Sequence, residues 1–318
     1  MSKDILIVGD PWETLDIPRD STLYLTTVAR NDFGMRSFWA LPENLFFRND
    51  RMFAKISGEV VSEKLEANGI LKALDEFHSV HWRADPPVDL RTLRLWSLLD
   101  CYQASPFGSR TKLVNPPRAL LSWNEKFSPL RFHEWAIASL VADSMFGFEA
   151  FFHSHPQKRL IAKPAAEAAS RGVQFLPTTW QDASEILKQM QTEFGPWLVL
   201  QEFEASIIRH GETRVFLVAG EIAGAIQKNP KTEHVIMNLD APPENQPTMK
   251  IAPLRPLQKE RATFIGQTLA KEGVHLATLD FIGDKILEIN VTSPGLIRWY
   301  DSQVGASEKI ATKYWAKL

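Results

Sequence analysis

Three oxygen-bearing side chains near the end of the chain, Asp280, Glu288 and Asn290, fall within "LDFIGDKILEIN", two apolar runs around Gly283-Asp284. Period-two alternation of apolar and polar residues marks strands with one polar face, so the segment predicts a hairpin. Its register decides its chemistry. A two-residue turn pairs Phe281 with Ile286 and puts Asp280 opposite Leu287, on the face away from Glu288. A three-residue loop, Gly283-Asp284-Lys285, faces Asp280 with Glu288, keeps Asn290 on that face, and leaves Leu279, Phe281, Leu287 and Ile289 as an unbroken apolar back. This second register separates apolar from polar cleanly and is the one expected. Directly opposed carboxylates destabilise a sheet, and a cation between them reverses the sign. Carboxylate and amide oxygens without sulfur or imidazole are hard ligands suited to Mg²⁺. By spacing alone the face is either solvated or a metal site.

The elements that must hold this hairpin can be read upstream. "MSKDILIVGDPW" gives a first strand over Ile5 to Val8, and "PRDSTLYLTTVARNDFG" gives a helix with Asp20 or Ser21 as its N-cap and Gly34 as its stop. "HSVHWRADPPVD" combines a short strand with a Pro-Pro loop, "RTLRLWSLLDCYQ" reads as a helix, and "TKLVNPP" as a further strand. Strands alternating with helices predict an open α/β sheet over roughly the first 120 residues. From Asn124 the pattern changes. "NEKFSPLRFHEW" reads as the start of a helix, "RLIAKP" and "VQFLP" as paired strands, and "WQDASEILKQMQTEF" as a helix. "WLVLQEF", "TRVFLVAGEIAGAIQKN" and "HLATLDFIGDKILEINV" are strand-rich, with the helix "LQKERATFIGQTLAKEG" before the last. The fold class expected is therefore α/β followed by α+β.

The chain has 318 residues, a formal net charge of -2, 44% hydrophobic and 23% charged residues. That length supports two or three packed units, and the charge balance argues against disorder and against a nucleic-acid surface. A small molecule or short peptide is the more natural partner. A single cysteine, Cys101, excludes an internal disulfide framework and a multi-thiolate zinc site within one chain. The N-terminal apolar run is too short for a signal peptide, and no apolar stretch approaches the roughly 18 residues a membrane helix requires. A cytoplasmic protein with no membrane partner is expected. His153 and His155 in "FFHSHP" read as loop residues. No Gly-rich Walker or Rossmann fingerprint is present.

"LDFIGDKILEINVTSPGLIR" resembles the C-terminal metal-binding signature of the bacterial glutathione synthetases, members of the ATP-grasp superfamily. The likeness extends, in order, to "GDPWETLDIPRDST", "WRADPPVD", "LVNPP", "NEKF", "AKP" and "GETRVFLVAGE". It implies an ATP-grasp fold in three parts: an N-terminal α/β substrate domain over 1–122, a small lid over 123–199 and a β-rich C-terminal domain over 200–318, with ATP between the last two. Carried over, it implies that Asp280, Glu288 and Asn290 hold magnesium, or manganese in its place, on the ATP phosphates. Lys126 and Lys163 would meet phosphate oxygens as point charges. Gln201, Glu202 and Phe203 of "LQEF" would present main-chain groups to adenine, with Leu287 near the base and Glu212 near the ribose. Arg214 would stabilise the acyl phosphate and the following oxyanion, while Arg83, Asn238, Ser293, Pro294 and Gly295 would hold substrate. The implied reaction is attack of a carboxylate on the γ-phosphate and displacement of phosphate by an amine, nominally joining γ-glutamylcysteine to glycine. The resemblance also implies a homo-oligomer.

Two stretches depart from that family pattern. Where the family has a glycine-rich loop over the transferring phosphate, this chain has "AAEAASRG", with only Gly172. Alanines favour helix and remove the close backbone approach glycine allows. Glu167 brings negative charge toward phosphate unless it turns outward, and Arg171 is a candidate anion clamp. In "IQKNPKTEHVIMNLDAPPENQ", Asn238 remains and Lys228 stands where the family has an arginine. Three functions are therefore open: a glutathione synthetase-like ligase, a ligase for another small peptide or amide, or a nucleotide-binding protein with little turnover.

Overall fold

A computed structural model describes residues 3–231, 236, 241, 242 and 244–318. Among the described residues the strands form four sheets. The N-terminal sheet is built on Asp4–Val8, which pairs in parallel with Arg36–Ala40 and with Ser79–Trp82, the latter continuing in parallel to Lys112–Val114. Gly58–Val61 and Lys64–Ala67 extend its other edge antiparallel. The all-buried run of Asp4–Val8 fits a central strand covered on both faces. The helix Ser21–Phe33 starts where its capping signal predicts. Asp20 accepts a hydrogen bond from the Leu23 amide, a cap worth about 1 kcal/mol, and Gly34 closes the helix at φ +64°. Asp89 caps the helix Leu90–Gln103 in the same way.

The stretch between Gly34 and His78 carries no element in the sequence reading, so Arg36–Ala40, Gly58–Val61 and Lys64–Ala67 are additions to it. Leu45–Arg48, Arg51–Lys55 and Leu71–Ala73 form a separate three-stranded sheet. Its first hairpin turns at Asn49-Asp50, with Asn49 at φ +58°. Asn and Asp tolerate left-handed backbone, and that pair between two apolar runs is the signal available in the sequence.

The second part is a four-stranded sheet in the order Ser139–Ala142, Leu198–Glu202, Leu160–Pro164, Gln174–Phe175. The expected pairing of "RLIAKP" with "VQFLP" is present, Ile161 facing Phe175. The helices Met145–Ser154 and Trp180–Phe194 accompany this sheet, and Phe148, Leu187, Met190, Leu198 and Leu200 make a core of their own. The helix expected at "NEKFSPLRFHEW" is instead a turn followed by a short 3₁₀ stretch, Ser128–Phe132. The Asn124 side chain accepts from the amides of Lys126 and Phe127, which offers the backbone an alternative to the helix. His153 lies in the last turn of Met145–Ser154 and His155 caps it, so this pair belongs to a helix end and not to a loop. Cys101 is an exposed thiol.

The third part is a five-stranded sheet in the order Thr248–Ile251, Glu221–Asn229, Glu212–Val218, Leu276–Ile282, Lys285–Asn290. Leu217, Leu279 and Phe281 of this sheet share a core with Ala262, Ile265 and Leu269 of the helix Pro256–Lys271 and with Trp82, Trp96 and Leu113 of the N-terminal part. A second shared core joins Ile5, Ile7 and Leu23 to Phe216, Val218 and the terminal helix Ile310–Ala316. Two continuous apolar cores therefore weld the first and third parts, while the four-stranded sheet keeps its own. The described helices include none long and apolar enough to cross a membrane.

Candidate active site

The hairpin turns on two residues, since Ile282 pairs with Lys285 and Phe281 with Ile286. The expected three-residue loop is thus incorrect, yet Asp280 still faces Glu288, because the register shifts between Asp280 and Phe281. A bulge on the second strand inserts one extra residue and restores the pairing a two-residue turn would lose. It also corrects the expected apolar back. Leu279, Phe281, Ile286 and Ile289 are fully buried behind the sheet, whereas Leu287 joins Glu288 in lining a cavity on the other side. One irregularity of backbone therefore delivers an apolar and an acidic side chain to the same space.

That cavity, about 620 Å³, opens between the four-stranded and five-stranded sheets. Lys126, Lys163, Gln201, Glu202, Phe203, Glu212, Arg214, Asp280, Leu287, Glu288, Asn290, Ser293, Pro294 and Gly295 all line it. Asn238 lies outside the described residues.

The polar half is a ladder of paired charges. Arg214 clamps Asp280 bidentately, at 2.8 and 2.6 Å, across the strands Glu212–Val218 and Leu276–Ile282. Glu212, two residues before Arg214, takes Lys228 as its partner instead. Asn290 Nδ2 donates to Asp280 Oδ2 at 3.0 Å. Lys163 stands 3.7 Å from Glu288, and Lys126 bonds Glu125 at 2.5 Å and the Glu167 carbonyl. Burial alone would push Asp280 up, but Arg214 and Lys228 hold it below the ordinary carboxyl value, and Arg214 is in turn raised. Burial pushes Glu212 and Glu125 up against the pull of Lys228 and Lys126. Burial pulls Lys163 down despite Glu288, whereas at Lys126 the carboxylates of Glu125 and Glu288 outweigh burial and raise it. Glu125 is a member of this ladder that sequence reasoning missed. Its signal was adjacency to Lys126 in "NEKF".

Asp280, Glu288 and Asn290 fit a hard divalent cation by donor chemistry, two carboxylates and an amide oxygen. Among the described residues no group of three Asp, Glu, His or Cys side chains makes a metal site by itself. With both Asp280 oxygens held by Arg214, a cation here competes with that guanidinium.

The apolar half is walled by Ile137, Ile161, Val173, Phe175, Ile207 and Leu287. Along its edge the Glu202 and Phe203 amides donate to the carbonyls of Ala138 and Arg159, so these two N–H groups are spent within the sheet. Gln201 donates to Ser139 Oγ, while its buried Oε1 has no hydrogen-bond partner among the described residues.

Arg83 stands behind the wall and does not line the cavity. It is 6% exposed and donates to Thr22 Oγ1 and to the Pro294 carbonyl, both at 3.0 Å. Ser293 Oγ donates back to the Arg83 carbonyl. Arg83 thus braces the Ser293–Gly295 segment from outside.

The loop over the polar half is not helical, contrary to what its alanines favour. Ala169 and Ser170 take φ +52° and +61°, and Gly172 takes +71°. A Cβ on Gly172 would lie 2.7 Å from Pro164 Cγ, so the one retained glycine is required by space as well as by backbone. Glu167 lines the cavity instead of turning outward, 3.5 Å from Arg171, whose side chain is 68% exposed.

Comparison with known proteins accords with this geometry. A sequence model described as the prokaryotic glutathione synthetase N-terminal domain matches residues 4–120, and one described as the prokaryotic glutathione synthetase ATP-grasp domain matches residues 125–305. The glutathione synthetase of Xanthomonas campestris pv. campestris is 27% identical over 311 residues, covering 96% of this chain and 95% of that protein. That of Prochlorococcus marinus is 28% identical over 296 residues, covering 92% of each. Two solved structures share the fold: D-cycloserine synthetase DcsG, with TM-score 0.68 at 17% identity over 98% of this chain and 99% of that one, and the ATP-grasp ligase PsnB complexed with minimal precursor, with TM-score 0.61 at 14% identity over 100% and 99%. The chain belongs to the prokaryotic glutathione synthetase family and is an ATP-dependent carboxylate–amine ligase of ATP-grasp fold.

Proposed function

We propose that this ligase joins a γ-glutamylcysteine-like donor to glycine, with ATP held in the cavity between the four-stranded and five-stranded sheets. The observation that carries the reading is the bulged hairpin, which turns Asp280, Glu288 and Asn290 to one face beside the buried Lys126, Lys163 and Lys228 and the half-buried Arg214. In this reading adenine lies in the apolar half against Leu287 and the Gln201–Phe203 edge, and Glu212 takes the ribose. Lys126 and Lys163 leave Glu167 and Glu288 to meet phosphate oxygens. Asp280, Glu288 and Asn290 are the residues that would hold Mg²⁺, with Mn²⁺ as a substitute. Bound there, the ion supplies charge neutralisation for the triphosphate.

The donor carboxylate attacks the γ-phosphate with departure of ADP, and the amine then attacks the acyl phosphate carbonyl, losing a proton as phosphate leaves. Arg214, already fixed in direction by its strand, offers its guanidinium to the oxyanion. Ser293, Pro294 and Gly295, braced by Arg83, bound the peptide substrate, and Asn238 is a further substrate residue. Glu167 and Arg171 cover the transfer point, and their ion pair provides polar contacts that a glycine loop lacks. The proposal includes three units, 1–122, 123–199 and 200–318; the four-stranded sheet, whose strand Leu198–Glu202 crosses the last of these bounds, has a core of its own and moves as a lid. It also includes a cytoplasmic homo-oligomer.

The test is ADP release. Gamma-glutamylcysteine plus glycine should support it. Release with other amines alone would replace the substrates while keeping the ligase, and nucleotide binding with no release across a broad acid and amine panel would overturn the catalytic reading.

A further inference from the structure

We propose that Lys228 is a positioning residue for the nucleotide ribose, acting through Glu212, and that it does not serve the amine-acceptor end of the cavity. The inference rests on the reading of Glu212 as the ribose ligand. Glu212 and Lys228 are directly opposed in the register of Glu212–Val218 and Glu221–Asn229. Both line the cavity, at 6% and 4% exposure, and Lys228 Nζ contacts Glu212 Oε1.

The backbone is built to bring them together. Gly211 has φ +63°, and a Cβ there would lie 2.2 Å from the Lys228 carbonyl oxygen. Only glycine allows this approach at the start of the strand. Beside it, Gln227 Nε2 donates to the His210 carbonyl at 2.6 Å, tying the same strand ends. A ribose diol offers two hydroxyl donors, and of the two states of a carboxyl group only the ionised one accepts without a competing O–H donor. A carboxylate this buried protonates unless a cation faces it. Lys228 supplies that cation from the side, on Oε1. A lysine serving an acceptor carboxylate would keep its ammonium free for that group, whereas the Lys228 ammonium is already engaged on Glu212 Oε1.

The experiment is calorimetric titration of magnesium-containing protein with ADP and with 2′,3′-dideoxy-ADP, for the wild type, Lys228→Met, Lys228→Arg, Glu212→Gln and the Lys228→Met/Glu212→Gln pair. The wild type should prefer ADP. Lys228→Met should bind ADP about tenfold more weakly, a charged hydrogen bond's worth, and lose most of its preference over the dideoxy nucleotide. Lys228→Arg should restore the preference, and Lys228→Met should add little in the Glu212→Gln background. A merely structural lysine would not give the pH signature: ADP affinity of Lys228→Met should rise with pH through the raised carboxyl titration of Glu212, while the wild type stays flatter. If Lys228→Met fails to fold, Lys228→Gln carries the same comparisons. Wild-type affinity and wild-type preference in the Lys228 variants, with turnover lost, would overturn the proposal and put Lys228 on the reacting groups. A wild type indifferent to the ribose hydroxyls would instead overturn the reading of Glu212.

Discussion

Replacing Arg214 with Met tests the central ion pair. Asp280 is 1% exposed and both its oxygens accept from Arg214, so the variant leaves a buried carboxylate with only Asn290 as a side-chain donor. Breaking a buried pair by removing one partner costs roughly 3–5 kcal/mol. Denaturant unfolding of the nucleotide-free protein at pH 7 should show a loss of that size. The wild-type Asp280 carboxyl is lowered, so its ionised form contributes stability above its unfolded value near 3.8, and that contribution is lost as pH falls through the folded value. In the variant burial acts unopposed by Arg214, and the carboxyl protonates at a higher pH. The gap between the two proteins should therefore be widest at neutral pH and narrow as the medium is acidified. Asp280→Asn should remove most of the cost, so that Arg214→Met in that background loses about 1 kcal/mol or less. Turnover of Arg214→Met should fall by about 10²-fold or more if the guanidinium also faces the oxyanion. An equal loss of stability in both backgrounds, or no dependence on pH, would refute the argument.

Other perturbations follow from the same geometry. Glu288→Gln removes one charge from a partly exposed position, so the fold should survive while Mg-ATP binding weakens and turnover disappears; undiminished turnover would count against the metal assignment. Burial lowers Lys163, so ATP affinity should decline with rising pH earlier than an ordinary lysine would allow, and Lys163→Arg should flatten that decline in a pH series of binding titrations. Ala169 holds φ +52°, so Ala169→Gly should be neutral or stabilising by up to about 1 kcal/mol in thermal unfolding, and Gly172→Ala clearly destabilising, since its Cβ meets Pro164 and Phe194. Loss of stability in the first variant would show that the left-handed loop carries no strain.

Much of the scaffold was legible because its signals are local. Asp20 and Gly34 bound a helix by capping chemistry, and "WQDASEILKQMQTEF" matches Trp180–Phe194. The small sheet at 45–73 escaped because its strands are short and its one clear mark is an Asn-Asp turn. The "NEKF" segment misled because it reads as the start of a helix, whereas the Asn124 side chain captures the amides that a helix would need.

By itself the sequence determined which chemistry-bearing side chains exist, in what order, and on strands or turns of which kind, since these follow from residue type and periodicity over a few neighbours. Only the tertiary structure decided that a bulge at Leu287-Glu288, and not a longer turn, brings Asp280 opposite Glu288. It alone matched Arg214 to Asp280 and Lys228 to Glu212, and set Arg83 behind the wall it supports. Such pairings join residues distant in the chain, and their partners are chosen by strand register and by the burial that forbids any charge to stand alone.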